Sequence, residues 1–451
     1  MVASRGVLLS TLCLALLHLH PTLAQLPRFT RVEGLNFVDG LTDNPVVLSG
    51  PNVVVKGPPY LPSVSGSTFC SDTVDDACSV SGTCSTCSTF NSFDVANIKS
   101  HGWNSIRLGV TWAGAQPVDA DELDADFLSR LHKILSLCDE SGITVILDNH
   151  GDMVGSANCG NGVPMWISEL AAPLLIGKPL KTSFPYNLKV VNLDVEELGG
   201  YEVCGDDEGM WAMFAGDPNY NLLNPCCIAM NAGGNPASLG FTTLSQRTMD
   251  YIISAGPGRD AFVRYWRLMA EAVVDHPSAS LVELMNEPMT IHRTNAFDTW
   301  KAAGEAITNV IPDMAISVMD TGEGVILPDW VLYVTHGTED ISPETLDWIK
   351  SSNNVFYAWH WYGVPAVATD AVKEAQTLGN DWNVPTMATE FMDCAVWKAC
   401  VDAGISHSYW HYSAYCNTGS SFSAMNLTVP TETFGACILG WGGGTSQYTC
   451  D

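Results

Sequence analysis

Two glutamates follow apolar segments whose composition is typical of buried strands. Residues 281–288 (LVELMNEP) end an apolar run in Asn-Glu-Pro, which predicts Glu287 at the carboxyl end of a strand that Pro288 terminates. Residues 385–391 (PTMATEF) repeat the pattern and predict Glu390 at the end of a second short strand. If both strands belong to one parallel barrel, the two carboxylates share the face on which barrel enzymes carry their active sites.

A pair of carboxylates on one face has the groups that hydrolysis of a glycosidic bond requires. One carboxyl group must hold a proton for the leaving oxygen, and the other must be ionised against the oxocarbenium-like centre. A separation of about 5 Å suits double displacement through a covalent intermediate. A glutamate at a strand end can also be an ordinary solvated residue, so the prediction depends on the two groups converging.

The hydrophobic pattern predicts an α/β fold in which buried strands alternate with amphipathic helices. The predicted strands cover residues 35–38, 105–110, 144–149, 281–285, 315–319, 355–359, 386–389 and 408–411. The predicted helices cover residues 120–141, 260–275, 295–311, 366–378 and 394–403, with a final helix within 431–439. This order predicts a (β/α)8 TIM barrel with Glu287 after the fourth strand and Glu390 after the seventh. A doubly wound sheet is disfavoured, because the sequence has no Gly-rich phosphate loop after its first strand.

With these residues in this order, the sequence resembles glycoside hydrolase family 5 over nearly the whole mature chain. In that family the acid/base residue follows Asn in an Asn-Glu-Pro motif on the fourth strand, and the nucleophile ends the seventh. The resemblance therefore implies Glu287 as acid/base and Glu390 as nucleophile of a retaining glycosidase. It also implies contacts with the sugar or the nucleophile: Arg107, His360 and Tyr362 beside the nucleophile, His150 beside the cleavage point, Asn286 on the 2-hydroxyl and Trp410 as the sugar platform.

The implied roles have a physical rationale. Arg107 would lower the pKa of Glu390 by its positive charge, whereas an apolar setting and a negative neighbour would raise the pKa of Glu287. The aromatic face of Trp410 suits the C–H surface of a pyranose and excludes water.

Within the family, three segments resemble endoglycoceramidase-type enzymes: residues 107–112 (RLGVTW), 148–152 (DNHGD) and 161–166 (NGVPMW). This narrower resemblance implies Asp152 as a further sugar contact and a glycolipid substrate that uses an apolar part of the cleft. An endo-β-glucanase or a β-mannanase is an alternative within the enzymes. A catalytically inactive carbohydrate-binding barrel is a second alternative, opposed by the presence of both glutamates and their supporting residues.

Two insertions interrupt the barrel pattern. Residues 58–89 follow the first strand and carry Cys70, Cys78, Cys84 and Cys87, which predicts a disulfide-stapled loop. A zinc site at Cys84 and Cys87 is disfavoured, because no second ligand pair completes it. Residues 151–240 follow the third strand and are rich in Asn, Gly, Cys and aromatic residues. Loops after barrel strands lie on the active face, so this insertion is expected to shape the cleft, the alternative being disulfide-held surface padding.

The amino-terminal segment has the pattern of a secretory signal peptide over residues 1–24. Arg5 precedes the apolar run 7–17, which is too short to span a membrane, and small residues follow at a cleavage site. Of fifteen cysteines, Cys13 lies in this segment, and the fourteen others are an even number that favours disulfides. Asn426 lies in a glycosylation sequon. We therefore expect a secreted, extracellular protein with one barrel domain over residues 25–451.

Charge and motif content narrow the partners. With 49 acidic and 20 basic residues, the formal net charge of −29 would repel nucleic-acid phosphates and anionic membranes. The histidines are too dispersed for a zinc helix, and no Gly-x-Ser-x-Gly elbow indicates a serine hydrolase. We predict no metal, no cofactor, no nucleic-acid partner and no stable membrane insertion, and a β-glycan or glycolipid as substrate.

Overall fold

Eight parallel strands close into a barrel in the computed structural model of the chain. The structure describes residues 27–55, 60–64, 90–151, 154–158, 161–176, 240, 242–321, 340–362, 365–391, 393–410, 412–413 and 437–438. The strands are β1 (Thr30–Glu33), β2 (Asn36–Asp39), β3 (Ser49–Val53), β4 (Ser105–Gly109), β5 (Thr144–Asp148), β6 (Ala279–Glu283), β7 (Ala315–Met319), β8 (Val355–Trp361), β9 (Thr386–Phe391), β10 (Ser406–Tyr409), β11 (Tyr412–Ser413) and β12 (Cys437–Ile438). Strands β3 to β10 follow one another round the barrel in chain order, and β10 pairs with β3 to close it.

The barrel strands are apolar on both faces because each packs against two different cores. On β8, Val355, Tyr357 and Trp359 belong to the layer between strands and helices. Phe356 and Ala358 alternate with them and belong to the cluster inside the barrel. Two buried faces explain why the predicted strands read as continuous apolar runs. The predictions for β4 to β9 are confirmed to within two residues at their ends, and β10 begins two residues earlier than predicted.

The predicted first strand, residues 35–38, is wrong. These residues lie largely in β2, which forms an antiparallel hairpin with β1, and the first barrel strand is β3. Gly50 and Pro51 give β3 a composition that argues against a strand. The glycine is required, because a Cβ atom at Gly50 would lie 1.7 Å from the Ser105 carbonyl oxygen. The hairpin covers the amino-terminal end of the barrel, where Phe37 packs edge-on against Phe356 at 5.4 Å.

Helices surround the barrel in the positions that a βα repeat requires. They are α1 (Ser92–Ser100), α2 (Trp112–Ala115), α3 (Ala125–Ser141), α4 (Met165–Ala171), α5 (Thr243–Ile253), α6 (Pro257–Val273), α7 (Arg293–Thr308), α8 (Pro343–Ser351), α9 (Ala368–Trp382) and α10 (Cys394–Ala403). The five predicted helices other than the last correspond to α3, α6, α7, α9 and α10, and α10 has the predicted bounds. Its ends are set by Asp393, whose carboxylate accepts from the Ala395 backbone N–H, and by Gly404, which is left-handed at φ 67°.

The final helix predicted within residues 431–439 does not include residues 437 and 438. Residues 437–438 are β12, which pairs antiparallel with β11. The other residues of that range lie outside the described part of the chain, as do the predicted signal peptide, the sequon at Asn426, and Cys70, Cys78, Cys84 and Cys87.

Two of the fourteen cysteines outside the predicted signal peptide are not paired. Cys138 on α3 and Cys400 on α10 are free and buried. Both lie on the inner faces of barrel helices, where a cysteine packs as a small apolar side chain.

The described beginning of the second insertion packs onto the barrel. Trp166 on α4 lies edge-on to Trp112 with 5.9 Å between ring centroids, and its indole N–H donates to the Gln116 carbonyl at 2.9 Å. Within the described residues, no helix has the length and apolar character needed to cross a bilayer.

Candidate active site

Arg107 is the centre of a buried polar network at the carboxyl ends of the barrel strands. It lies on β4 with no exposed surface, and Nη1 donates to Oε2 of Glu390 at 3.0 Å and to Oδ1 of Asn52 at 2.7 Å. Nη2 donates to Oδ1 of Asn286 at 2.7 Å and to Oε1 of Glu283 at 2.5 Å, and Nε donates to Oε2 of Glu283 at 3.2 Å. All five N–H groups of the guanidinium are therefore used, which fixes its plane.

Glu390 is held from two sides. It is the penultimate residue of β9, before Phe391, and its side chain is 7% exposed. Arg107 binds one carboxylate oxygen, and the hydroxyl of Tyr362 donates to the other, Oε1. Tyr362 is 41% exposed, and its partial burial together with the nearby charges of Glu390 and Glu287 raises its pKa well above the usual value, so the phenol keeps the proton that it donates. A cation and a hydroxyl donor both favour the ionised carboxylate.

Glu287 occupies a strained position on the loop that follows β6. Its φ is 42°, a left-handed value that is uncommon for a non-glycine residue, and Pro288 follows it. Its side chain is 20% exposed, more than that of Glu390. Such backbone strain is common at functional sites, where the surrounding structure holds it.

His360 lies between three carboxylates, those of Glu287, Glu390 and Glu283. Its Nδ1 lies 2.8 Å from Oε1 of Glu287 and 4.0 Å from Oε2 of Glu390, and its Nε2 lies 3.8 Å from Oε1 of Glu283. Burial lowers the pKa of His360, but the three carboxylates outweigh burial and raise it to about 10. The ring is therefore an imidazolium at neutral pH, and Nδ1 donates to Glu287.

The two catalytic candidates converge. One carboxylate oxygen of Glu287 and one of Glu390 lie within 4.8 Å of each other and of a ring nitrogen of His360. This separation is close to the roughly 5–5.5 Å between the two carboxyl groups of retaining glycosidases, and it is smaller than the distance in inverting enzymes. Among the residues that the structure describes, these three atoms also have the spacing of a possible cation site.

Two further buried carboxylates, Glu283 and Asp148, contact Arg107. Glu283 ends β6 with no exposed surface, and although burial raises its pKa, Arg107 and His360 outweigh burial and lower it to about 2. Asp148 ends β5, 3.0 Å from Nη2 of Arg107, and burial raises its pKa against the charges of Arg107 and His150. Glu283 is therefore a fixed negative charge between the two cations of the site.

His150 and Trp410 form one flank of the site. Nδ1 of His150 lies 2.8 Å from Oδ2 of Asp148, and the His150 ring stacks on Trp410 with 5.2 Å between centroids and 13° between planes. The Trp410 backbone N–H donates to the Phe391 carbonyl at 2.8 Å, which ties the end of β10 to the end of β9.

An apolar pocket lies beside Glu287. Its walls are the side chains of Met249, Met285, Met289, Val154 and Val163. Gly151 and Gly162 form its floor by close backbone contact, since a Cβ atom at Gly162 would lie 2.4 Å from Cα of Gly151. The polar side chains of Asn149, Asn286 and Glu287 also line this pocket.

The structure brings together every predicted site residue that it describes. These are Glu287, Glu390, Arg107, His150, Asn286, His360, Tyr362 and Trp410. Asp152 lies outside the described residues. His360 contacts Glu287 more closely than Glu390, which it was predicted to flank, whereas Tyr362 contacts Glu390 as predicted.

Sequence reasoning missed Asn52, Asp148 and Glu283. Glu283 lies two residues after Leu281, which faces the barrel interior, so a charged side chain at that position signals a buried partner of opposite charge. Asn52 was missed because β3 was not recognised as a strand.

Comparison with known proteins identifies the family. The family model described as Cellulase (glycosyl hydrolase family 5) matches residues 80–172 and 244–414, more than half of the chain. The chain belongs to glycosyl hydrolase family 5. The matched residues include both glutamates and the residues on β4 to β10 that surround them.

Several curated proteins that are similar to this chain are named endoglycoceramidase. Endoglycoceramidase I of Rhodococcus hoagii (strain 103S) is 30% identical over 31% of this chain and 23% of its own length. Endoglycoceramidase of Cyanea nozakii is 25% identical over 53% of this chain and 37% of its own length. The chain thus spans well under half the length of these curated relatives. The crystal structure of an endogalactoceramidase has the same fold, with a TM-score of 0.55 and 15% identity over 88% of this chain and 77% of that one.

Proposed function

We propose that this protein is a secreted retaining glycoside hydrolase that cleaves β-linked glycans or glycolipids by double displacement. The observation that carries the proposal is the approach of the Glu287 and Glu390 carboxylates to within 4.8 Å on one face of the barrel. Membership of family 5 supports the same chemistry. The secreted location remains a proposal that depends on the leader pattern of residues 1–24.

The surroundings of each carboxylate support its role. Glu390 is the more buried, and Arg107 and Tyr362 both stabilise its ionised form, as a nucleophile requires. Glu287 is the more exposed and lies beside the apolar pocket, where it can reach a leaving oxygen. The Asn286 side chain, fixed by Arg107, lies next to Glu287 in sequence and can bind a sugar hydroxyl.

The first step forms a covalent glycosyl-enzyme. A Glu390 oxygen attacks the anomeric carbon, the bond from that carbon to the leaving oxygen breaks, and Glu287 gives its proton to the leaving oxygen. In the second step Glu287 takes a proton from water, the water oxygen attacks the anomeric carbon, and the bond to Glu390 breaks. Both carboxyl groups return to their starting protonation states.

A glycolipid substrate is the more specific form of the proposal. Relatives named endoglycoceramidase support this class, and the Met and Val side chains beside Glu287 offer an apolar surface for a hydrocarbon part of the leaving group. An endo-β-glucanase or a β-mannanase, which would bind a second sugar at this place, is the alternative. Hydrolysis of cellulose, β-1,3-glucan, mannan and glucosylceramide, compared side by side, separates these substrates.

The deciding experiment is covalent labelling with activated 2-deoxy-2-fluoro-β-glycosides. The fluorine slows the second step, so a retaining enzyme should gain the mass of one glycosyl group, and peptide mapping should locate it on Glu390. Glu390→Gln should fold, remain unlabelled and lose turnover.

Glu287→Gln is the matched control, because it should still accept the label from a reagent whose leaving group needs no proton. Labelling at another residue, or unchanged turnover by Glu390→Gln, would refute the assignment. A folded wild type that binds glycans and never turns over would support the inactive carbohydrate-binding barrel instead.

A further inference from the structure

The side chain of Asn52 contacts the guanidinium of Arg107 and three backbone carbonyls at the ends of two neighbouring strands. It lies on β3 with no exposed surface, and its Oδ1 accepts from Nη1 of Arg107 at 2.7 Å. Its Nδ2 lies 3.1 Å from the carbonyl oxygen of Thr389, 3.2 Å from that of Ser408 and 3.1 Å from that of Tyr409. An amide nitrogen has two N–H groups, so at least one of them is shared between two of these carbonyls.

The three carbonyls belong to strand ends that carry site residues. Thr389 immediately precedes Glu390 on β9, and Tyr409 immediately precedes Trp410 at the end of β10. Asn52 thus contacts the peptide groups that lead into Glu390 and Trp410, together with the guanidinium that binds the Glu390 carboxylate.

We propose that Asn52 is a positioning residue that fixes Glu390 from its backbone and, through Arg107, from its carboxylate, and that holds Trp410 in place. This inference rests on the proposed function. Asn52 contacts Arg107 and backbone carbonyls rather than the reacting atoms, so it acts through other groups. Its effect on the reaction comes from geometry, because a shift of about 1 Å in a reacting group can cost about 100-fold in rate.

The position of Asn52 explains why a side chain is needed here. The barrel closes between β10 and β3, where Tyr409 is opposite Pro51, a residue without a backbone N–H. The Asn52 amide supplies donors to carbonyls at the carboxyl ends of β9 and β10, next to the catalytic groups. An aspartate of the same shape would accept from Arg107 but could not donate, and it would compete with Glu390 for the guanidinium.

Ser49 provides a matched control on the same pair of strands. Its hydroxyl is 3.0 Å from Nε2 of His407, so it joins β3 to β10 at the amino-terminal end of the barrel, away from the site. Ser49→Ala therefore removes a polar contact that closes the barrel without touching a residue next to Glu390.

The test compares Asn52→Ala, Asn52→Asp and Ser49→Ala with the wild type. The readouts are the rate of labelling by the activated fluoroglycoside, kcat and KM, all measured well below each variant's unfolding temperature. We expect Asn52→Ala and Asn52→Asp to lower the labelling rate and kcat by about 100-fold. Ser49→Ala should lower the unfolding temperature and leave the labelling rate within about twofold, since its contact is remote from the reacting groups.

If Asn52→Ala does not fold, Asn52→Ser gives the same comparison, because its hydroxyl is too short to span Arg107 and the three carbonyls. Wild-type labelling at Glu390 together with labelling of a folded Asn52 variant at the wild-type rate would overturn the inference and leave the proposed function intact. Absence of labelling in the wild type would instead count against the proposed function.

Discussion

Nδ1 of His360 lies 2.8 Å from Oε1 of Glu287 and 4.0 Å from Oε2 of Glu390. The imidazole therefore serves the acid/base candidate directly and the nucleophile candidate only through its charge. Glu283 lies on the opposite side of the ring, 3.8 Å from Nε2, and helps to keep it protonated. His360 is thus a cation of fixed orientation. Its Nδ1 donates to Glu287, and the carboxylate of Glu283, which stays ionised, lies on the Nε2 side.

Replacing His360 with glutamine should impair proton delivery by Glu287. General acid–base catalysis contributes about 10²–10⁴-fold, and a misoriented carboxyl group loses part of that. We expect kcat to fall about 100-fold for a glycoside with a poor leaving group and less than about tenfold for an activated aryl glycoside, which needs little protonation. Steady-state kinetics on both substrates measures the difference.

His407→Gln is the control for the loss of a buried histidine. Its ring contacts Ser49, the Ile405 carbonyl and the Phe391 ring, but neither glutamate side chain. An equal fall in kcat on both substrates for His360→Gln would argue against a role in proton delivery.

The charges of Glu283 and His360 should limit stability at opposite ends of the pH range. Glu283 has its pKa lowered from 4.5 to about 2, so its contribution is present above pH 4.5 and is lost as the pH falls toward 2. His360 has its pKa raised from 6.5 to about 10, so its contribution is present below pH 6.5 and is lost as the pH rises toward 10. The contribution of this pair to the free energy of unfolding should therefore be greatest between about pH 4.5 and 6.5.

Urea unfolding of the wild type, Glu283→Gln and His360→Gln from pH 3 to 10 checks this expectation. Breaking the buried contact between Glu283 and Arg107 should cost about 3–5 kcal/mol near neutral pH. The alkaline decline should be weaker in His360→Gln than in the wild type. If the free energy of unfolding fell equally steeply in His360→Gln and in the wild type above pH 6.5, the prediction would be contradicted.

A second pair of histidines, at the amino-terminal end of the barrel, predicts a loss of stability in acid that has a different origin. Nδ1 of His132 lies 2.9 Å from Nε2 of His276, whose Nδ1 lies 2.6 Å from Asp139. Burial and the neighbouring His276 lower the pKa of His132, against the charge of Asp275. A histidine whose pKa is lowered by folding destabilises the protein as the pH falls below its usual value of 6.5.

His132→Gln should therefore flatten the loss of stability as the pH falls below 6.5. The lowered pKa of Asp139, caused against burial by its bonds to His276 and Ser278, acts only below its usual value of 3.8, so the two effects occupy separate ranges. Thermal unfolding at several pH values measures the slope, and His101→Gln at an exposed position is the control. A slope unchanged from the wild type would show that His132 does not titrate in this way.

The sequence predicted the catalytic face because barrel strands deliver their last residues to one side. Glu287, Glu390 and Trp410 each follow or lie near the end of a segment with a clear strand pattern, and Arg107 lies within one, so topology brings the first three to one face. The same logic failed at β3, where Gly50 and Pro51 mask the strand and tertiary contact with Ser105 overrides propensity.

Side-chain partners were harder to predict than positions. His360 could be placed at the end of β8, but its contact with Glu287 rather than Glu390 depends on a rotamer that the buried carboxylates select. Glu283 and Asp148 lie within apolar strands, and their pairing with Arg107 becomes visible only when neighbouring strands are in register, as Gly109 is with Asp148 and Asp148 with Glu283.

The apolar pocket beside Glu287 should govern the choice of leaving group. Met249 lies on α5, is 2% exposed and lines the pocket. Met249→Gln keeps the length of the side chain and places an amide in an apolar wall, which costs about 1–3 kcal/mol when an apolar group must pack against it. We expect KM for a glycoside with a long alkyl leaving group to rise about tenfold, and KM for one with a small polar leaving group to change less than about twofold.

Met314→Gln is the control for burying an amide elsewhere. Met314 is buried immediately before β7, at the amino-terminal end of the barrel, and does not line the pocket. It should lower the unfolding temperature without changing the ratio of the two KM values, because the pocket walls are intact. An equal rise in KM for both glycosides in Met249→Gln would mean that the leaving group does not occupy this pocket, and the glycolipid form of the proposed function would lose its structural support.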